Sequence, residues 1–270
     1  MTEMVEAEIS RAILDSYHEK LRESLTSDVV IVGAGPSGLV AAWKLAESGR
    51  HAVVLESRLT PGGGIWAGAV GMNQIVVEEA AVGILNELGV RHSAAGGLRS
   101  AEAAELAGAL VLRSIQSGAT FLNLMTAEDL CVKDARVRGV VANRSLLADN
   151  LPIDPITFNS RTVIDATGHE AGLVQCLRRR GLLDQRTASG EGAMDAAAGE
   201  IFVVEKVSEV FPGLWVTGMS VCAAFGGPRM GPIFGGMLLS GVKVAQKVAE
   251  RLAEGGQPLV EAGRKGAPEK

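Results

Sequence analysis

The chain has 270 residues, of which 47% are hydrophobic, 34 are glycine and only 4% are aromatic. This composition is typical of a tightly wound α/β protein with a sizeable core, and it excludes a disordered chain. The net charge of −5 gives no electrostatic basis for binding nucleic acid or an anionic membrane. The sequence has neither a signal-peptide core at its acidic start nor an apolar run of transmembrane length, so we expect a cytoplasmic protein.

The first predicted elements alternate between helix and strand. An amphipathic helix over residues 4–24 precedes an apolar, β-branched strand at 28–32. That strand runs into a glycine-rich turn and then into a helix at 39–48, and a second strand follows at 52–55. The order predicts a βαβ unit with parallel strands.

The turn between the first strand and its helix reads Gly33-Ala-Gly35-Pro-Ser-Gly38. Gly33 allows a tight turn, Gly35 lets the backbone approach a pyrophosphate, and Gly38 lets the helix pack closely on the strand. The helix N-terminus offers unpaired N–H groups and its positive dipole end to phosphates. Glu56, at the end of the second strand, is placed to bind an adenosine ribose hydroxyl. The sequence therefore predicts a bound adenine dinucleotide.

The middle of the chain is predicted to hold helices and a small inserted sheet. A loop at 58–68 is too glycine-rich for a regular element, and helical periodicity follows at 78–89 and 101–117. Short strands at 120–124, 128–132 and 137–142 are expected to form a smaller sheet within residues 118–160.

Two apolar strands and a long helix complete the prediction. The strands at 161–165 and 214–216 end in Ala-Thr-Gly-His169 and Thr-Gly-Met219, and the helix extends from about 235 to 252. We expect a single α/β domain of the dinucleotide-binding, Rossmann-like (FAD/NAD-binding) type over residues 1–255, followed by a disordered tail at 256–270.

The three cysteines, Cys131, Cys176 and Cys222, are widely spaced and lie in apolar surroundings. They form neither a metal-binding nor a redox pattern, so we expect buried, reduced thiols.

Three further motifs distinguish this chain from the FAD-dependent oxidoreductases that share its fingerprint. They are Pro61-Gly-Gly-Gly-Ile-Trp, Ile153-Asp154-Pro155 and Pro228-Arg-Met-Gly-Pro-Ile-Phe-Gly-Gly-Met. In this order they closely resemble the Thi4 family of thiazole synthases, specifically its archaeal and bacterial branch. The resemblance covers nearly the whole chain.

The resemblance implies a biosynthetic reaction. Family members convert NAD, glycine and sulfide to an adenylated thiazole carboxylate, the precursor of the thiamine thiazole, and release nicotinamide. NAD would thus be a substrate, Fe(II) would be the metal, and Asp154 and His169 match its ligands. One carboxylate and one imidazole leave the open coordination positions that a catalytic metal needs. Arg229 matches the arginine that holds the glycine carboxylate, for which a guanidinium fork is the natural bidentate partner.

The resemblance also assigns binding residues and an assembly. The positions that match the NAD pocket are Gly33, Gly35, Ser37, Gly38, Glu56, Ser57, Gly64, Ala127 and Met219. The positions that match the substrate site are Pro152, Ile153, Asp154 and Arg229. Pro152 stands where the family has a sulfur-donor cysteine, or a histidine in sulfide-using members, so we expect external sulfide as the sulfur source. A homo-oligomer is implied, since family members are octamers.

Three alternatives remain at this point. The chain could be a divergent Thi4-like enzyme that makes another adenylated product from NAD, because Pro152 departs from the family pattern. It could also be an FAD-dependent oxidoreductase, or a dinucleotide-binding module without catalysis. Flavin would give a yellow spectrum, whereas adenylates derived from NAD are colourless above the protein band.

Overall fold

The computed structural model describes residues 5–146, 153–183 and 190–254. Its helices are α1 (Glu6–Ser24), α2 (Pro36–Glu47), α3 (Val82–Leu88), α4 (Ala103–Gln116), α5 (Gly172–Arg179), α6 (Ala196–Glu205), α7 (Met219–Phe225) and α8 (Gly235–Glu254). Its strands are β1 (Thr26–Val32), β2 (Ala52–Glu56), β3 (Gln74–Val77), β4 (His92–Ala95), β5 (Leu98–Glu102), β6 (Thr120–Asn123), β7 (Met125–Lys133), β8 (Arg136–Arg144), β9 (Ile156–Asp165), β10 (Glu209–Phe211) and β11 (Leu214–Val216). The predicted α/β class is confirmed.

The main sheet follows the order β10-β11-β9-β1-β2-β6. Strand β1 pairs in parallel with both β2 and β9, while β6 and β11 extend the parallel part on either side. Val29, Val30 and Ile31 in β1 are fully buried, as is usual for a parallel strand that is covered on both faces. The chain continues from β1 to β2 on one side of β1 and later returns as β9 on the other side of β1. The direction in which strands are added to the sheet therefore changes at β1. Open α/β sheets bind ligands at such a point.

Helices α2 and α8 pack closely against each other. A Cβ atom at Gly241 in α8 would lie 2.6 Å from the Ser37 carbonyl oxygen in α2, so only glycine permits this approach. Helices α2 and α8 are thus in close backbone contact at this point.

Most predicted elements are confirmed, with shifted ends. The N-terminal helix, the fingerprint strand, the second strand and the helix from residue 235 all form. Helix α2 begins at Pro36 rather than at residue 39, because proline fits the first helical turn, where its missing N–H costs nothing. Strand β9 begins at Ile156, five residues before the predicted start.

The three strands predicted within residues 118–160 all form, but they belong to the main sheet. Strand β6 joins the parallel sheet beside β2, and β7 and β8 form a hairpin whose second strand pairs antiparallel with β9. The separate sheet is instead three-stranded, in the order β3-β5-β4. Its strands lie mostly in segments for which no element was predicted, because β4 and β5 are short and carry small or polar residues without an alternating apolar pattern.

The helix predicted at 78–89 is shorter than expected. A 3₁₀ turn at Glu79–Ala81 leads into α3, which ends at Leu88 before the left-handed Gly89. The tail predicted at 256–270 lies outside the described residues. No helix in the part of the chain that the structure describes is long and apolar enough to cross a membrane.

The buried carboxyl group of Glu200 and the half-buried side chain of Glu78 meet at the N-terminus of α8. Glu200 in α6 accepts a hydrogen bond from the Gly236 N–H at 2.5 Å, and the Glu78 carboxyl group approaches it across Gly235. Burial, reinforced by the hydrogen bond and charge of Glu78, raises the pKa of Glu200 to about 9. Among the described residues, Oε1 of Glu200 and Oε2 of Glu78 are buried without a hydrogen-bond partner, an environment that favours the uncharged form of Glu200.

Candidate active site

The fingerprint turn has the shape that a phosphate needs. Gly33 has a φ of +102°, and a Cβ atom there would collide with the Ala166 carbonyl group at the end of β9. A Cβ at Gly38 would collide with the Gly33 carbonyl oxygen. At Gly35, the residue before α2, no atom lies within 4 Å of a Cβ position, so the space beside this backbone is open. A ligand phosphate can therefore approach the N–H groups of α2 closely.

Glu56 is held as an acceptor next to this turn. Its Oε2 accepts a hydrogen bond from the Ala34 N–H at 2.8 Å, and its Oε1 accepts one from the Arg58 N–H at 2.8 Å. The Ser57 hydroxyl lies 3.4 Å from the same Oε1. Since each carboxylate oxygen has two lone pairs, the side chain keeps acceptor capacity for ribose hydroxyls.

A glycine-rich loop after β2 packs on the fingerprint turn. The Gly62 N–H donates to the Ala34 carbonyl oxygen at 2.7 Å, and a Cβ at Gly63 would lie 3.0 Å from the Gly35 Cα. At Gly64 no atom lies within 4 Å of a Cβ position. The loop thus borders the open space in front of α2 without filling it.

The other predicted pocket residues lie along the same edge of the sheet, with one exception. A Cβ at Gly218 would collide with the Ser37 hydroxyl, which places the start of α7 and its buried Met219 against the fingerprint turn. Ser57 accepts a hydrogen bond from the Ser145 hydroxyl at 2.6 Å, just after β8. Ala127 is half-buried in β7 and belongs to the antiparallel hairpin rather than to the parallel edge.

His169 lies in the loop after β9, and the buried carboxylate of Asp165 holds this loop in place. Asp165, at the end of β9, is completely buried. Its two oxygens accept hydrogen bonds from the Thr167 N–H (3.0 Å), the Thr167 hydroxyl (2.7 Å), the Ser220 hydroxyl (3.0 Å), the Leu173 N–H (2.9 Å) and the Val174 N–H (3.1 Å). The carboxylate therefore fixes both the loop that carries His169 and the first turn of α5.

The His169 ring has a carboxylate partner. Its Nδ1 lies 2.8 Å from Oε1 of Glu191, whose side chain is only 12% exposed, whereas that of His169 is 57% exposed. Because an ionised carboxylate only accepts hydrogen bonds, Nδ1 carries the proton of this contact. Nε2 is then the nitrogen with a free lone pair in the neutral ring.

Arg229 pairs with Met194 in the irregular segment 190–195, which also carries Glu191. The Arg229 N–H donates to the Ala193 carbonyl oxygen at 3.2 Å, and the Asp195 N–H donates to the Arg229 carbonyl oxygen at 3.1 Å. The guanidinium group is exposed and has no hydrogen-bond or ion-pair partner among the other described residues. Its charge is therefore available to an anionic ligand.

The segment that carries Asp154 contacts the antiparallel hairpin of β7 and β8, not segment 190–195. The carbonyl oxygen of Ile153 accepts a hydrogen bond from the Asn143 amide at 3.3 Å, and the same amide donates to Glu128 at 3.1 Å. Asp154 itself is exposed, and no hydrogen bond or ion pair joins it to His169. Within the described ranges, no group of three or more His, Cys, Asp or Glu side chains could hold a metal ion. Pro152 lies outside the described residues.

A short chain of contacts connects the Asp154 motif with the helix after His169. Asn143 contacts the side chain of Glu128, and the Cys176 thiol in α5 lies 3.7 Å from the Glu128 carbonyl oxygen. Cys176, and not Cys222, is therefore the thiol that this chain of contacts joins to the Asp154 motif.

All three thiols are disfavoured as thiolates. Burial raises the pKa of Cys131 and of Cys176 above the ordinary value. Burial and the nearby negative charge of Glu191 raise the pKa of Cys222 to about 12. Since the thiolate is the nucleophilic form, none of the three is activated for sulfur chemistry.

Sequence reasoning missed Asp165, Glu191 and Asn143. Asp165 had a usable signal, because an acidic residue at the end of a buried apolar strand needs donors close to it. Glu191 had none, since it lies 22 residues after His169 in a segment without helical or strand periodicity.

Comparisons with known proteins identify the family of the chain. The Thi4 family model matches residues 10–234. The thiamine thiazole synthase of Thermococcus kodakarensis is 47% identical over 253 residues, which are 93% of this chain and 100% of the relative. That of Thermotoga maritima is 48% identical over 245 residues, or 90% of this chain and 97% of the relative.

A solved structure is similar over the same extent. The crystal structure of Thermovibrio ammonificans THI4 matches with a TM-score of 0.90 and 41% sequence identity, covering 93% of this chain and 100% of that one. Because the family model spans most of the chain and these enzymes match over nearly their full length, the chain belongs to the Thi4 family.

Proposed function

We propose that this protein makes the thiazole precursor of thiamine, converting NAD, glycine and sulfide to an adenylated thiazole carboxylate with release of nicotinamide. The observation that carries the proposal is the convergence of three binding elements at the carboxyl edge of the parallel strands. These are the fingerprint turn with Glu56, the exposed imidazole of His169, and the segment that pairs with Arg229.

NAD would bind along the fingerprint turn as a substrate. The open space at Gly35 and the N-terminus of α2 would receive the pyrophosphate, and Glu56 would accept hydrogen bonds from the adenosine ribose. The glycine-rich loop at 61–68 borders this space and would line the dinucleotide.

Asp154 and His169 would hold Fe(II). The donor chemistry fits, because the carboxylate has no polar partner among the described residues and Nε2 of the imidazole is left free by Glu191. When bound, Fe(II) supplies a Lewis acid with positions open to small ligands. The residues themselves orient these ligands and set how strongly the metal is held.

Arg229 would bind the glycine carboxylate. Its guanidinium group is exposed and has no partner among the other described residues, so a planar carboxylate can make two parallel hydrogen bonds with it. A lysine could not reproduce that geometry.

Sulfur would come from external sulfide. Pro152 has no thiol, and the pKa values of Cys131, Cys176 and Cys222 are all raised, which disfavours the thiolate that a protein donor requires. A protein that does not consume its own cysteine can turn over repeatedly.

We also propose that the protein works as a homo-oligomer. Helix α1 presents Ile9, Ile13 and Leu14 to solvent, and a helix with an uncovered apolar side favours association. Static light scattering of the purified protein tests this directly: a monomer at micromolar concentration would contradict it.

The reaction is tested by anaerobic incubation with NAD, glycine, Fe(II) and sulfide, with products followed by mass spectrometry. We expect multiple turnovers to the adenylated thiazole. His169→Ala and Asp154→Ala should each abolish metal-dependent turnover while NAD still binds, whereas Cys222→Ala should leave turnover unchanged.

The other outcomes identify the alternatives. A sulfur-free adenylate would favour a divergent enzyme, and a bound flavin with a yellow spectrum would favour an FAD-dependent oxidoreductase. Loss of one sulfur per chain from a cysteine would contradict external sulfide. NAD binding without any product would favour a binding module.

A further inference from the structure

We propose that Glu191 is a positioning residue for the metal site: it fixes the His169 ring so that Nδ1 carries the proton and Nε2 faces the metal. The proposal rests on the proposed role of His169 as a metal ligand. It concerns a residue that belongs to none of the sequence motifs.

The contact itself has the right geometry and exposure. The Nδ1 to Oε1 distance of 2.8 Å is that of a charge-assisted hydrogen bond. The Glu191 side chain is 12% exposed and that of His169 is 57% exposed, so the carboxylate is anchored in the protein while the imidazole extends toward solvent. A metal can therefore reach Nε2 without displacing Glu191.

The backbone around Glu191 is held on both sides. The Gly190 N–H donates to the Ala223 carbonyl oxygen at 3.3 Å, and the Gly192 N–H donates to the Gly227 carbonyl oxygen at 2.8 Å. A Cβ at Gly192 would lie only 3.3 Å from that same Gly227 oxygen. The carboxylate thus projects from a fixed segment rather than from a free loop.

No other described side chain sets the orientation of the ring. The loop is held through its main chain, since the Gly168 N–H donates to the Ser220 hydroxyl at 3.0 Å and the Ala171 N–H to the Gly168 carbonyl oxygen at 3.1 Å. These bonds fix the backbone position of His169 but not the rotation of its imidazole ring. Glu191 supplies the missing constraint.

The same segment also pairs with Arg229, through the bridge between Met194 and Arg229. Segment 190–195 would therefore align the metal ligand and the glycine-binding residue with each other. Carboxylate partners of metal-binding histidines typically change metal affinity by about 10–100-fold when removed.

The test compares Glu191→Ala and Glu191→Gln with the matched control Glu170→Gln. Glu170 is an exposed glutamate directly after His169, so its replacement removes the same charge beside the same imidazole without breaking the hydrogen bond. Co(II), as a stable probe for Fe(II), is titrated into the NAD-bound protein and followed by its visible absorption. The His169 tautomer is read separately in the metal-free protein by ¹⁵N NMR, which is practical because the chain has 4 histidines.

We expect Glu191→Ala to weaken Co(II) binding by about 10–100-fold and to shift His169 toward the Nε2-protonated tautomer. Glu191→Gln should keep the Nδ1-protonated tautomer, because its amide oxygen still accepts the hydrogen bond, with a smaller loss of affinity. Glu170→Gln should bind Co(II) within about twofold of the unmodified protein, and NAD affinity should be unchanged in all three.

The proposal is overturned if Glu191→Ala keeps both the tautomer and the Co(II) affinity of the control. It is also overturned if Glu191→Gln loses Co(II) and NAD binding together, which would indicate a purely structural role. If the unmodified protein binds no Co(II), the metal assignment fails instead, and the tautomer comparison still decides the role of Glu191.

Discussion

Replacing Glu200 by glutamine should stabilise the folded protein at neutral pH. The pKa of Glu200 is raised from its ordinary 4.5 to about 9, first by burial and then by Glu78. Between these two values the folded state holds a proton that the unfolded chain has released, so stability falls as the pH rises. Glutamine removes this cost, since its amide can still accept from the Gly236 N–H and donate to Glu78.

The magnitude follows from the distance between the working pH and the ordinary pKa. Each pH unit above 4.5 costs up to about 1.4 kcal/mol while the folded state keeps its proton, which gives about 3 kcal/mol at pH 7. The stability difference between Glu200→Gln and the unmodified protein should therefore grow by about 3 kcal/mol from pH 5.5 to pH 8.

Urea denaturation at these two pH values measures the difference. Glu205→Gln, at the exposed end of the same helix, is the matched control and should show no comparable change with pH. A stability difference for Glu200→Gln that is the same at both pH values would refute the raised pKa of Glu200, and so would a loss of stability at pH 8.

Three further changes probe the site. Glu56→Ala should weaken NAD binding by about 1.5–3 kcal/mol in calorimetry, the scale of a hydrogen bond to a charged group; equal binding of NAD and NADP by the unmodified protein would contradict the ribose assignment. Asp165→Asn should lower the free energy of unfolding by about 2–4 kcal/mol, because its amide nitrogen would face buried donors; unchanged denaturant midpoints would be incompatible with this role. Arg229→Lys should raise the KM for glycine by about tenfold with an unchanged KM for NAD, since lysine loses the bidentate pairing; a parallel rise in both would indicate a general disturbance.

The fingerprint region could be predicted because local and long-range requirements agree there. The spacing of the apolar strand, the three glycines and Glu56 is enough to predict a position for each of them in the turn. At Gly33 and Gly38 a Cβ atom would indeed collide with the backbone. Strand β6 could not be placed, because a short apolar strand contains no information about which neighbour it pairs with. Its partner β2 is determined by the packing of the whole sheet.

In the candidate site, too, some features could be predicted from motifs and others depend on long-range contacts. His169 and Arg229 were identified through motifs, but their common support by segment 190–195 depends on backbone pairing between residues that are more than 30 positions apart in the sequence. The three thiols illustrate a second limit. In the sequence, Cys222 is the cysteine closest to Arg229, seven residues before it. The contacts instead join Cys176 to the Asp154 motif through Glu128.

The contact between Ser37 and Gly241 has a consequence for synthesis of the chain on the ribosome. The dinucleotide turn is translated early, yet its helix rests on α8, and Gly218 contacts the Ser37 hydroxyl from the start of α7. A nascent chain that ends before residue 241 has the fingerprint residues but lacks this packing. The proposed binding of NAD should therefore begin only when α8 has left the exit tunnel, so that NAD would stabilise the chain that includes α8 and not its shorter fragments.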